Sequence, residues 1–262
     1  MTYSSIARHF ACLWVVVLLS SNRICLAQVV NIESQRLQTD SVRGVLIGDA
    51  SVSLRQTDGE QFRAFQGNLT MQLKSKSYKD LWMGIVSGDY AHLDNKQIAQ
   101  NHLVHVRYNR KLTKHLRWEA FTQLQTSPLI GVRSRWLGGT GPRYKVFSDT
   151  GIALYIGTLY MLEREQEAIQ AVLPAYFHRI SAYLSGSWRN KAQTAELSCV
   201  TYYQPSVQEF RDYRFTLQSV LAIKVTGKVS VTGNLSTNYD ARPPSGFEPF
   251  TLVNTYGVRV VL

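Results

Sequence analysis

Residues 212–240 read DYRFTLQSVLAIKVTGKVSVTGNLSTNYD, an alternation of apolar and polar side chains interrupted by Thr-Gly-Lys. Phe215, Leu217, Leu221, Ile223 and Val225 share one face with Val229, Val231, Leu235 and Tyr239. Arg214, Thr216, Gln218, Lys224, Ser230, Thr232, Asn234 and Ser236 share the other. A period of two is the signature of extended strands, whose successive side chains point to opposite faces, so this stretch reads as a hairpin with one greasy and one wet side. Two architectures use such a ribbon. In a soluble sandwich the apolar side is the core; in an outer-membrane barrel it meets lipid and the polar side lines the lumen.

The pattern recurs upstream. In RAFQGNLTMQLK, Phe65, Leu69, Met71 and Leu73 oppose Gln66, Asn68, Thr70, Gln72 and Lys74; in NHLVHVRYNRK, Val104, Val106 and Tyr108 oppose His105, Arg107, Asn109 and Lys111. Residues 150–163 are apolar on both faces and carry little face information. Roughly twelve strands follow from the whole chain, at 42–56, 60–74, 80–92, 98–112, 115–126, 133–147, 150–163, 175–189, 194–204, 212–226, 228–240 and 251–262. They exceed the five or six residues usual in globular sheets and suit the roughly ten needed to cross a bilayer obliquely.

The connections add a second, independent pattern. SKSYKD, TK, SD, NKAQT and G are short and alternate with the longer AHLDNKQIA, TSPLIGV, EREQEAIQAVLP, QPSVQEFR and ARPPSGFEPF. The hairpin at Asp58-Gly59 is the exception. Short turns at one rim and long loops at the other are the habit of bacterial outer-membrane barrels, with an even strand count bringing both ends of the barrel to the periplasm. Basic residues (Lys74, Lys76, Lys79, Lys111, Lys114, Arg189, Lys191) gather near the short turns, and acidic ones (Asp94, Glu163, Glu165, Glu167, Glu209, Asp212, Asp240, Glu248) in or beside the long loops. Trp82, Tyr90, Trp118, Trp136, Tyr160, Trp188, Tyr239 and Tyr256 fall near strand ends, as interfacial girdles require.

The first residues have the order of a secretory signal: Arg8 and His9, an apolar run from Phe10 to Leu19 too short to span a bilayer, then small residues before Gln28. Cleavage after Ala27 is expected, leaving a periplasmic segment at 28–41 and a barrel at 42–262. Acylation of Cys25 is disfavoured by Asn22 and Ile24. With Cys12 and Cys25 removed, Cys199 stands alone and no intramolecular disulfide forms. The chain has 262 residues and a net charge of +11; losing Arg8 and Arg23 leaves 27 basic against 18 acidic residues. Export and the absence of any nucleic-acid motif exclude nucleic acid as a partner, and outer-membrane lipid is the expected one. No run after residue 27 is long and apolar enough for a membrane helix.

Several stretches, VVNIESQR at 29–36, GVLIGDASVSLRQTDG at 44–59, NHLVHVRYNRKLTKHLRWEAFTQLQ at 101–125 and LGGTGPRYKVF at 137–147, resemble the domain-of-unknown-function family 481, the salt-induced outer-membrane proteins. The resemblance covers most of the mature chain and is clearest over 29–147. It implies an all-β, antiparallel up-and-down outer-membrane barrel without an established activity, and supplies no catalytic residues.

Arg107, Glu119, Gln123, Arg143, Lys145, Arg179, Glu196, Arg214, Lys224 and Arg259 oppose lipid-facing positions and are the expected lumen residues. Inward charges of this kind either knit into ion-pair networks that fill the interior or line a water-filled pore. A lipid hydrolase is the enzymatic alternative, built on His102, His105, His115 or His178 with a serine. His178 and the following Ser181, Ser185 and Ser187 point to opposite faces of one strand, and no Gly-x-Ser-x-Gly elbow occurs, so no catalytic residue is assigned. LGGTGPR lacks the ending of a phosphate loop and suits close strand approach instead. No cluster has metal spacing, and no cofactor is expected. The sequence leaves the oligomeric state open, along with a third alternative, an exported soluble β-barrel or sandwich that binds a ligand.

Overall fold

The computed structural model describes residues 42–57, 60–93, 96–128, 131–167, 173–244 and 246–262. The expected signal peptide at 1–27 and periplasmic segment at 28–41 lie outside the described residues. Twelve strands make the fold: β1 (Gly44–Thr57), β2 (Glu60–Lys74), β3 (Asp80–Leu93), β4 (Lys96–Lys111), β5 (Leu116–Ser127), β6 (Val132–Ser148), β7 (Ile152–Glu167), β8 (Ala175–Arg189), β9 (Ala195–Pro205), β10 (Tyr213–Lys224), β11 (Val229–Asp240) and β12 (Phe250–Val261). Each strand pairs antiparallel with its neighbour in sequence, and β1 pairs with β12 to close the sheet. The closing seam runs from Ile47 opposite Val261 to Val52 opposite Tyr256. Closure removes every edge strand, so all ladder hydrogen bonds are made within the wall, the condition for a sheet in hydrocarbon.

The alternation decides which side faces out. Leu69, Val86, Val104 and Leu124 lie directly opposite one another on four adjacent strands. They form an outer row exposed by 51, 56, 44 and 58%. One residue along each strand, Thr70, Ile85 and His105 form an inner row exposed by 1% or less. In the opening hairpin, Phe215, Ile223, Val231 and Tyr239 are exposed while Gln218, Thr232 and Ser236 are buried. A soluble protein would hold this apolar outer row against water; covering it with acyl chains gains about 25 cal/mol for each Å² removed from water. The expected girdle residues Trp82, Tyr90, Trp118, Trp136, Tyr160, Trp188, Tyr239 and Tyr256 are all exposed on the outer wall, and Tyr203, Tyr213 and Tyr239 make a ladder with ring centroids 5.6 and 5.8 Å apart.

Two expectations about the rims are corrected. The connection expected at 91–99 is mostly strand, because β3 continues to Leu93 and β4 begins at Lys96; loop asymmetry is confined to the second half of the barrel. Backbone pairing runs on through these residues, from Ala91 opposite Ala99, across a register shift, to Leu93 opposite Lys96. The acidic residues assigned to long loops are not simply solvated: Glu163 and Glu165 belong to β7, and Asp212 and Asp240 join them in ion pairs described below. Among the described residues Cys199 is the one cysteine and is free.

Replacing Val86 by Arg, at the middle of the outer row, is expected to destabilise the folded barrel by about 2–4 kcal/mol when unfolding is followed in lipid vesicles with urea, the depth-dependent cost of a lipid-facing cation.

Candidate functional site

Side chains fill much of the barrel's interior. Every strand sends at least one side chain inward that is exposed by no more than 5%, among them Ile47, Gln72, Ile85, His105, Glu119 and Arg143 from β1 to β6 and Leu159, Arg179, Val200, Gln218, Thr232 and Val253 from β7 to β12. An aqueous channel along the axis would wet these groups.

Towards the rim of the short turns the filling is a knot of four side chains. Glu119 accepts a hydrogen bond of 2.5 Å from the Tyr183 hydroxyl, which itself accepts one of 3.2 Å from Arg143 Nη1. Arg107 and Arg143 each bring a guanidinium nitrogen to 3.6 Å from the Glu119 carboxylate. The Arg143 guanidinium lies over the Tyr155 ring at 4.0 Å, and Arg107 lies 5.6 Å from the centre of Phe121. Inward-facing glycines make room. A Cβ at Gly157 would stand 2.2 Å from the Tyr183 ring, one at Gly141 2.2 Å from the Thr158 carbonyl, and one at Gly139 2.6 Å from the Phe121 ring. The glycines of LGGTGPR therefore serve close approach. A buried carboxylate shared by two arginines is stable only because its charge and lone pairs are met on several sides.

Towards the other rim lies a larger network. Glu163 and Glu165, successive inward residues of β7, are bound by Arg135 from β6 at 3.1 and 2.7 Å. Arg214 from β10 bridges the same two carboxylates, touching Glu163 and sitting 2.9 Å from Glu165, and reaches Asp240 at 2.8 Å. Arg179 from β8 joins Glu163 at 2.7 Å and Asp212 at 3.1 Å. Above this cluster the connection between β11 and β12 leans across the mouth. Phe247 and Pro244 stand so close to Gly131, in the connection between β5 and β6, that a Cβ there would lie 2.7 and 2.9 Å from them; Gly131 also has φ +75°. That close approach and left-handed backbone both favour glycine. Between network and knot is a cavity of about 160 Å³.

Of the residues expected in the lumen, Arg107, Glu119 and Arg143 meet in the knot, and Arg179 and Arg214 in the outer network. Gln123 Oε1 accepts a hydrogen bond from His105 Nδ1 at 3.0 Å. Arg259 pairs with Asp49 across the closing seam at 2.6 Å, and Glu196 pairs with Arg189 at 3.0 Å where the wall is about one third exposed. Lys145 is half-buried opposite Tyr155, and Lys224 is exposed at the short-turn rim opposite Ser230. Glu163, Glu165, Arg135, Asp212, Asp240 and Tyr183 were not among the expected lumen residues. In the structure the two glutamates continue the inward side of β7 past Leu159 and Met161, but a segment apolar on both faces gives no local sign of it, and Tyr183 carries no signal either. His178 faces outward beside Tyr160, whereas Ser181 and Ser185 are buried inside, so β8 brings no serine to His178.

The family model described as Protein of unknown function, DUF481, matches residues 51–258. The chain belongs to this family. No curated protein matches the sequence. Among solved structures, this DUF481 chain is similar to an outer membrane channel from Pseudomonas putida F1 (10% identity, 90% of this chain and 100% of that one, TM-score 0.49). It is also similar to the NanC porin (13%, 83% and 98%, 0.47) and the KdgM porin (11%, 82% and 98%, 0.46). The fold itself rests on the strand pairing and closure described above. A closed antiparallel barrel with a lipid-matched outer wall places this DUF481 protein in the bacterial outer membrane.

Gly157→Ala is expected to lower stability by about 1–3 kcal/mol through overpacking against Tyr183. Gly48→Ala, whose Cβ would meet nothing within 4 Å, is expected to stay within about 0.5 kcal/mol of the parent. Urea unfolding of both variants in vesicles checks the contrast.

Proposed function

We propose that the protein is a structural outer-membrane barrel of the bacterial envelope whose lumen is sealed at rest by its own side chains. The observation that supports this most is that all twelve strands send inward side chains at 5% exposure or less, spread along the barrel. Charges inside are spent on each other: Glu119 on Arg107 and Arg143, Glu163 and Glu165 on Arg135 and Arg214. Passage of an ion would require breaking one of these sets, and removal of one partner from a buried pair costs about 3–5 kcal/mol.

A narrow passive channel is the second reading, favoured by the cavity that runs from the mouth down to His105 and Arg107. Planar-bilayer recording of the purified protein separates the two. The sealed barrel is expected to give no resting conductance steps. Glu119→Gln, which leaves two arginines facing a neutral amide, is expected to give steps that favour anions, with retained heat-modifiable migration showing that the variant is folded. Steady conductance of the parent protein would establish the channel instead.

A further inference from the structure

The cavity between the outer network and the knot has the chemistry of a binding site. Its lower surface is apolar and aromatic, with Phe121, Leu159, Met161 and Tyr202, three of which pack in one cluster around Leu159. Its walls are amides and hydroxyls. Gln123 bonds Gln125 at 3.2 Å, Gln204 bonds Ser181 at 3.0 Å, and Thr216 donates to the Asn238 carbonyl oxygen at 2.9 Å.

On the wall formed by β10 and β11 the protein leaves one cavity-lining polar group unmet. Asn238 lines the cavity, and its buried Nδ2 has no hydrogen-bond partner among the described residues. One inward position further along the hairpin, Gln218 lies opposite Ser236. Neither amide atom of Gln218, which is exposed by only 1%, nor the Ser236 hydroxyl has a partner among the described residues, but neither residue lines the cavity and a guest there does not reach them. A buried amide without a partner costs about 1–3 kcal/mol, so the Asn238 Nδ2 calls for a guest that offers it an acceptor oxygen.

The cations of the cavity are already matched. Arg135 holds Glu163 and Glu165, and Arg214 holds these and Asp240. A charged guest would compete with those pairs; an uncharged one would not. At about 160 Å³ the space greatly exceeds the roughly 10–15 Å³ that one water needs, and falls below the roughly 300 Å³ at which sites for drug-sized ligands begin.

We propose that this outer vestibule binds one small uncharged polyol or monosaccharide, its hydroxyls met by Asn238 and the amide walls and its C–H face resting on the floor of Phe121 and Tyr202. The site takes the sealed barrel as its setting but does not require that no ion passes, so conductance and binding stand or fall separately.

Saturation-transfer NMR tests the proposal with D-glucose and D-glucuronate as probes and the protein in an amine-oxide detergent, which carries no sugar head group. Glucose is expected to receive saturation from the protein, and glucuronate markedly less. Asn238→Leu is expected to weaken glucose binding about fivefold, the worth of one hydrogen bond, and Glu196→Gln, at the short-turn rim, to leave it unchanged. The comparison of the two sugars on the unmodified protein needs no variant to fold. Absence of saturation on glucose, equal or stronger saturation on glucuronate, or full binding in folded Asn238→Leu would each overturn the proposal.

Discussion

The hydrogen-bonded seam between β1 and β12 is the contact on which the rest of the structure depends. Once the sheet is closed, no strand has an unpaired edge, and every side chain must go either to the outside or to the inside. Strand periodicity then forces the two sets to differ by a single residue shift. The outside row of Leu69, Val86, Val104 and Leu124 and the inside row of Thr70, Ile85 and His105 are two consequences of the same pairing.

Closure also creates the electrostatic problem that the interior solves. A polar wall turned inward would be comfortable in a wide, wet lumen, but here the inward groups are dry. Each buried charge consequently needs a partner at contact distance. Glu163 is reached by arginines from three other strands and Glu119 by two arginines and a tyrosine hydroxyl. Such groups tie β4, β5, β6, β7, β8 and β10 together through the lumen, a cross-bracing that the wall's own hydrogen bonds do not provide. Glycines on the inner face are the steric counterpart, since Tyr183 occupies space that any side chain at Gly157 would fill.

Much of this was legible in the sequence because strand alternation is a local property. Most of the strands and the two faces of the 212–240 hairpin follow from period two, strand length, the loop pattern and the leader sequence choose lipid for the apolar face, and the tryptophans near strand ends mark the outer wall. Loops were harder. Residues on either side of 94–95 continue the strands, because pairing of the neighbours extends the backbone beyond where the apolar run fades. The ion-pair partners were harder still. Glu163 and Glu165 resemble a solvated charged loop until β10 and β6 deliver Arg214 and Arg135 to them, and a contact between residues 51 positions apart leaves no mark on local composition. Tyr183 acquires its role only from the absence of a side chain at Gly157, on the facing strand.

A tryptophan placed at Tyr155, with the other tryptophans replaced by phenylalanine, tests directly whether the lumen is dry and the outer face greasy. Position 155 is inward, exposed by 6% and stacked beneath the Arg143 guanidinium, a contact that indole preserves. In vesicles, the account requires that neither brominated acyl chains nor iodide in the surrounding water quench its fluorescence. Quenching by iodide would reveal a water-filled bore, and quenching by brominated lipid would reverse the two faces of the wall; either result contradicts the structure as described.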